Sequence, residues 1–132
     1  MIRLLDTNTC IYFLNRASEK IVNRFKEFTP AQIRLPSITV AELYYGAEKS
    51  EFKSRNRERV KRFVSTFEIV PFDETACSSY ARIRHSLERA GTPVGPMDLL
   101  IASIGLAYNY TVVTNDVEEF KKVKGLKLEN WV

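Results

Sequence analysis

The stretch Ile2-Arg3-Leu4-Leu5-Asp6-Thr7-Asn8 opens as a short apolar run with little helical periodicity and then turns polar at an acid, a threonine and an asparagine. An apolar run that ends in capping and turn residues is a strand handing over to a helix. The same grammar returns at Ile33-Arg34-Leu35-Pro36 before Ser37, at Glu68-Ile69-Val70-Pro71-Phe72 before Asp73, and at Thr111-Val112-Val113-Thr114 before Asn115-Asp116. Between these runs the apolar residues recur at helical spacing. The spacing predicts helices over Thr9 to Leu14, from the cap Ser18 to about Phe28, from Ser37 with Val40, Leu43, Tyr44 and Ala47 inward, and from Phe52 to Phe67. Further helices are predicted from Glu74 to Ala90, with Gly91 as C′ residue, and from Gly95-Pro96-Met97-Asp98 through an apolar Leu99 to Ala107. A short helix after Asn115-Asp116, reaching about Lys122, and a closing segment Leu126-Lys127-Leu128 with Trp131 complete the chain. Strands alternating with helices mean an α/β sandwich with a mainly parallel central sheet, whose strands' carboxyl ends share one edge where ligands bind.

Composition keeps this to one domain. With 132 residues, 45% of them hydrophobic, the chain forms a single unit over 1–132 with a real core, and no linker, repeat or low-complexity tract divides it. The first acid, Asp6, arrives before a signal-peptide core could form, and no apolar run reaches the ~20 residues of a membrane span. The expectation is a cytoplasmic protein with no membrane partner. Cys10 and Cys77 lack metal-ligand spacing and read as reduced, buried small hydrophobes. Twenty Lys and Arg against 16 Asp and Glu give a net charge of +4, which favours a polyanionic partner but is equally compatible with ordinary solubility.

Four acids, Asp6, Glu42, Asp98 and Asp116, each stand where a strand or loop gives way to a helix. Each has a structural explanation. Asp6 and Asp116 can cap helices, Asp98 suits the positive end of a helix dipole, and Thr39-Val40-Ala41-Glu42 fits a capping box. Together they suggest something else, because carboxylates gathered in one pocket repel each other unless a divalent cation neutralises them. Oxygen-only ligation suits Mg²⁺ or Mn²⁺. His85, the only histidine, has no partner for acid–base chemistry, and there is no Gly-rich phosphate loop and no Ser or Cys nucleophile motif.

Leu4-Leu5-Asp6-Thr7-Asn8, Val40-Ala41-Glu42-Leu43-Tyr44-Tyr45-Gly46-Ala47, Gly95-Pro96-Met97-Asp98-Leu99-Leu100-Ile101-Ala102 and Val113-Thr114-Asn115-Asp116 resemble the motifs of the PIN-domain ribonucleases. Their order matches the VapC toxins of bacterial type II toxin–antitoxin modules, across essentially the whole chain. The resemblance implies a PIN-like α/β/α sandwich and a Mg²⁺- or Mn²⁺-dependent endoribonuclease that cuts structured RNA, a tRNA or rRNA loop. It further implies silencing by a cognate VapB-type antitoxin, and homodimerisation. It assigns the principal metal ligands to Asp6 and Asp98, the second and fourth acids to Glu42 and Asp116, and supporting polar positions to Asn8 and Thr114.

Arg55, Arg59, Arg62, Arg82 and Arg84 are candidates for RNA backbone contacts, although Glu51–Arg55 and Glu58–Arg62 are spaced as i,i+4 salt bridges on a solvated face. Two other readings stay open at this level: a PIN-fold RNA-processing nuclease outside any toxin system, and a non-catalytic RNA- or partner-binding module.

Overall fold

A computed structural model describes residues 1–132. Five strands, β1 (Arg3–Leu5), β2 (Ile33–Pro36), β3 (Glu68–Val70), β4 (Thr111–Val113) and β5 (Lys127–Glu129), form one sheet in the order β3-β2-β1-β4-β5. Every pairing is parallel. The helices are α1 (Thr7–Leu14), α2 (Glu19–Lys26), α3 (Ser37–Glu48), α4 (Lys53–Ser65), α5 (Glu74–Ala90), α6 (Pro96–Tyr108) and α7 (Val117–Phe120).

The central strands β1 and β4 carry buried apolar residues on both faces because both faces are covered. Successive side chains point to opposite sides, so Leu4 and Val112 enter one core with Ile83, Leu87, Ile101 and Phe120. Leu5 and Val113 enter the other, with Ile21, Phe25, Leu43, Phe63 and Trp131. Leu4, Leu5, Val112 and Val113 are all fully buried. The expected sandwich is therefore present, and its sheet is parallel throughout.

Sheet order fixes where a ligand can go. From β1 the chain builds outward through β2 and β3 on one side, then crosses over to β4 and β5 on the other. The switch point lies between β1 and β4, and the crevice outside the carboxyl ends of such a pair is the binding place of open α/β sheets. Leu5 pairs with Val113, so Asp6 and Thr114 are the first residues beyond the ladder on these two strands.

Several local expectations change. α1 begins at Thr7, with Asp6 as its N-cap, because the Asp6 carboxylate accepts the Thr9 backbone N–H at 2.9 Å. Lys127–Glu129, read only as a closing segment, is a fifth strand paired with β4. Its alternation is too short to stand out, and pairing with a buried neighbour supplies what local sequence does not. Tyr44, expected in the core, is 36% exposed, while Thr39 on the same helix is fully buried. Cys77 is exposed and Cys10 buried, both as free thiols. The pairs Glu51–Arg55 and Glu58–Arg62 do not form; Glu48 instead takes both Lys53 and Arg57. No helix is long and apolar enough to cross a membrane.

Candidate active site

Two threonine hydroxyls fasten helix starts to strand ends and so build the cleft. Thr9 in α1 donates to the Val113 carbonyl at 3.2 Å, and Thr39 in α3 donates to the Leu5 carbonyl at 3.0 Å. Both side chains are fully buried. Each ties a helix start to a strand-end carbonyl, and that of Val113 also accepts the Asp6 backbone N–H at 3.1 Å. Thr39 is therefore occupied elsewhere and makes no capping box with Glu42, and α3 has no side-chain cap at all. Glu42 turns instead to α1, accepting the Thr7 hydroxyl at 2.5 Å. Neither threonine stood out in the sequence, where hydroxyls in first turns look like ordinary caps.

Asp6 is 4% exposed. Burial pushes its carboxyl above the usual range, hydrogen bonds from Thr114 and Thr9 pull it back, and the charge of Asp116 raises it again. Asp98, half-buried in the first turn of α6, is raised from 3.8 to about 6, first by burial and then by Asp6, Asp116, Glu119 and Glu42. Four other acids thus act on one carboxyl. Neither carboxyl forms a salt bridge. Asp116 itself is exposed at the N-cap position of α7, yet its side chain caps nothing; its backbone N–H donates to Thr114 Oγ1 at 2.9 Å.

The fifth acid, Glu119, was legible only as part of a helix cap. It accepts the Gly95 backbone N–H at 2.9 Å and pairs with Lys122 at 3.0 Å, which holds its carboxyl below the usual range and fixes the residue from which α6 starts. Gly95 is the N-cap of α6, three residues before Asp98. Asn115 Oδ1, between Thr114 and Asp116 in sequence, is buried without a hydrogen-bond partner.

The chemistry of this donor set, all oxygen and with none of the four acids in a salt bridge, fits a hard divalent ion. No three of the acids stand close enough to ligate one ion together, so four carboxylates closing on a single ion is not the arrangement here. A Mg²⁺ ion retains several waters and needs only one or two direct carboxylates. Asn8 is exposed and makes no side-chain hydrogen bond; Thr7, one residue earlier, makes the contact to an acid. Thr114 is fully buried beside Asp6.

The arginine candidates divide. Arg55 and Arg62 are exposed and unpaired by any acid, whereas Arg59 is spent on the Leu14 carbonyl at 2.6 Å. Arg84 is paired with Glu88 at 3.1 Å, and Arg82 bonds only the hydroxyls of Ser78 and Ser79. His85 is exposed on α5.

The model of the PIN domain family matches residues 3–126. The chain is 40% identical to ribonuclease VapC2 of Rickettsia felis, over 99% of this chain and 98% of that protein. It is 41% identical to the tRNA(fMet)-specific endonuclease VapC of Salmonella typhimurium, over 97% of this chain and 96% of the relative. Among solved structures, DNA-bound VapBC from Salmonella typhimurium superposes with a TM-score of 0.94 at 40% identity, covering 100% of this chain and 99% of that one. A five-stranded parallel sheet, acids gathered at its switch point and likeness over nearly the full length agree: the chain belongs to the PIN-domain family, among the VapC ribonucleases.

Proposed function

We propose that this protein is a Mg²⁺- or Mn²⁺-dependent endoribonuclease, the toxin of a type II toxin–antitoxin pair, that hydrolyses phosphodiester bonds in a structured RNA. The observation that carries the reading is the convergence on Asp98 of Asp6, Glu42 and Asp116, none of which forms a salt bridge. An acid cluster left uncompensated in a folded protein calls for a cation from outside.

In this reading Asp6 and Asp98 would hold the ion, and Glu42 and Asp116 would complete its shell or a second site. When bound, the ion supplies positive charge against the scissile phosphate and acidifies a nearby water. The protein's own groups do the positioning. The Thr7 hydroxyl fixes one Glu42 oxygen, the Thr9 N–H fixes one Asp6 oxygen, and Thr114 holds the Asp116 backbone while lying against Asp6. Carboxylates anchored in this way keep their geometry when substrate arrives, which is what a positioned hydrolytic site requires.

The relatives support one substrate class over the other. One that is 41% identical is a tRNA(fMet)-specific endonuclease, which favours a tRNA over an rRNA loop. The VapBC structures favour a small VapB-type antitoxin as partner. A groove of about 210 Å³ opens beside Glu42, lined by Ile11, Leu14, Leu43, Val60 and Arg59. A partner's arginine reaching the acids from it would replace the ion's charge. A second copy of the chain completes the set of proposed partners, for which the exposed Tyr45, Phe52 and Met97 offer apolar surface.

The test is cleavage of individual tRNAs and of ribosomal RNA by the antitoxin-free protein with Mn²⁺ or Mg²⁺. Selective cutting of one tRNA is expected, and stoichiometric antitoxin should abolish it. Folded protein that binds the antitoxin but cuts no RNA under any metal condition would replace the reading with a non-catalytic binding module.

A further inference from the structure

A second concave site lies on the far side of Glu119 from the acids. The face of α5, the end of α6 and the segment after α7 enclose a pocket of about 240 Å³ whose lining includes Arg82, Lys122 and Lys124 and no carboxylate. Ser86 and Thr92 add hydroxyls, and Leu106 and Val123 supply part of an apolar floor. Neither Arg82 nor Lys124 is paired with an acid. Lys122 is anchored between Glu119 at 3.0 Å and the Pro93 carbonyl at 3.2 Å. Glu119 in turn holds Gly95, at the start of the helix that carries Asp98. The basic pocket is thus joined through one carboxylate to the start of the helix that carries Asp98.

We infer that this pocket is a subsite for an RNA backbone phosphate flanking the one that is cut, with the attached nucleoside against the apolar floor. It rests on the nuclease reading above, since it places a second part of the same strand. Arg82 and Lys124 have no acid partner and line one pocket with Lys122, a positive field that attracts a phosphate. Hydroxyls beside guanidinium and ammonium groups provide the remaining donors for phosphate oxygens. A cleft of acids cannot by itself attract a polyanion, and cations set to one side of it provide the attraction without neutralising the catalytic groups. In the sequence Arg82 was one basic residue among several, and Lys122 and Lys124 were not distinguishable from solvated surface charge.

The experiment measures binding of a single-stranded RNA oligonucleotide of about twelve nucleotides, without divalent metal, over a range of salt concentrations. Wild type is compared with Arg82→Gln/Lys124→Gln and with Lys26→Gln/Lys127→Gln, which removes equal charge from exposed positions elsewhere. The pocket variant should bind on the order of tenfold more weakly at low salt, and its log–log salt slope should fall by about 0.7, the contribution of the one phosphate no longer neutralised. The control should stay within about twofold of wild type, as expected for charges that touch no phosphate. In metal-supported cleavage the pocket variant should raise KM and leave kcat unchanged. Equal binding by the pocket variant and wild type, or equal losses in both double variants, would overturn the subsite. Cleavage with no pocket dependence would leave the nuclease standing and remove this site. Pocket-dependent binding with no cleavage would do the reverse.

Discussion

Replacing Asp98 with Asn should make the metal-free protein more stable at neutral pH while removing its activity. The carboxyl of Asp98 is raised from 3.8 to about 6 by burial and by Asp6, Asp116, Glu119 and Glu42. A rise of that size corresponds to a ceiling of about 3 kcal/mol. Asp98 is only half-buried, and water at the cleft mouth screens its neighbours, so about 1–2 kcal/mol is the realistic penalty. The sign follows from proton binding. The native state holds its proton more tightly than the unfolded state, so the wild type loses this stability as pH rises from about 4 through about 6. Below about 4 both states carry the proton and the penalty vanishes.

The assay is chemical denaturation in EDTA at pH 4.5 and 7.5 for both proteins, taking the difference so that groups common to both cancel. The stability gap should be larger at pH 7.5. Saturating Mg²⁺ should then stabilise the wild type by about 2–3 kcal/mol at a hundredfold excess over Kd and do little for the variant. An Asn variant less stable than wild type at pH 7.5 in EDTA would refute the picture of an electrostatically strained acid cluster.

Thr7→Val removes the donor that fixes Glu42, and should lower kcat about tenfold while the denaturation midpoint barely moves, measured on a defined RNA. Glu119→Gln breaks the pair with Lys122 and removes a charge felt by Asp98, so it should cost about 1 kcal/mol and lower the Asp98 pKa. Denaturation and a carbon-detected NMR titration of the carboxyl read the two effects. Gly105→Ala would bring a Cβ to 2.6 Å from Val112 Cγ2 and 3.1 Å from Leu126 Cδ1. Val112 is fully buried and stiff at χ1, so overpacking should destabilise by about 1–3 kcal/mol despite Ala's better helix propensity, and an unchanged thermal midpoint would contradict this.

Much of this was readable from residue order. The strands around Leu4-Leu5 and Val112-Val113 announced themselves because burial on both faces makes them apolar without alternation. Asp6, Asp98 and Asp116 were visible because each follows an apolar run or opens a helix, and a parallel sheet brings such positions to one edge; Glu42 lies further in, in the second turn of α3. Whether each merely caps a helix could not be decided there. Asp6 does cap α1, whereas Glu42 and Asp116 cap nothing, and the difference arises from contacts distant in sequence: Thr39 reaching Leu5 and Thr7 reaching Glu42. Glu119 read as part of a cap with Asp116, and its actual hold on Gly95 was hidden because it spans twenty-four residues. The strand Lys127–Glu129 has too little pattern of its own and exists because β4 offers it an edge.

Metal dependence of RNA cleavage tests the central claim most directly. Total cellular RNA would be incubated with the antitoxin-free protein in Mn²⁺, in Mg²⁺ and in EDTA, beside folded Asp6→Asn and Asp98→Asn variants. Discrete fragments are expected with either ion, and none with EDTA or either variant. Fragments that persist in EDTA or in a folded Asp98→Asn protein would contradict the assignment of this acid cleft as a metal-dependent nuclease site.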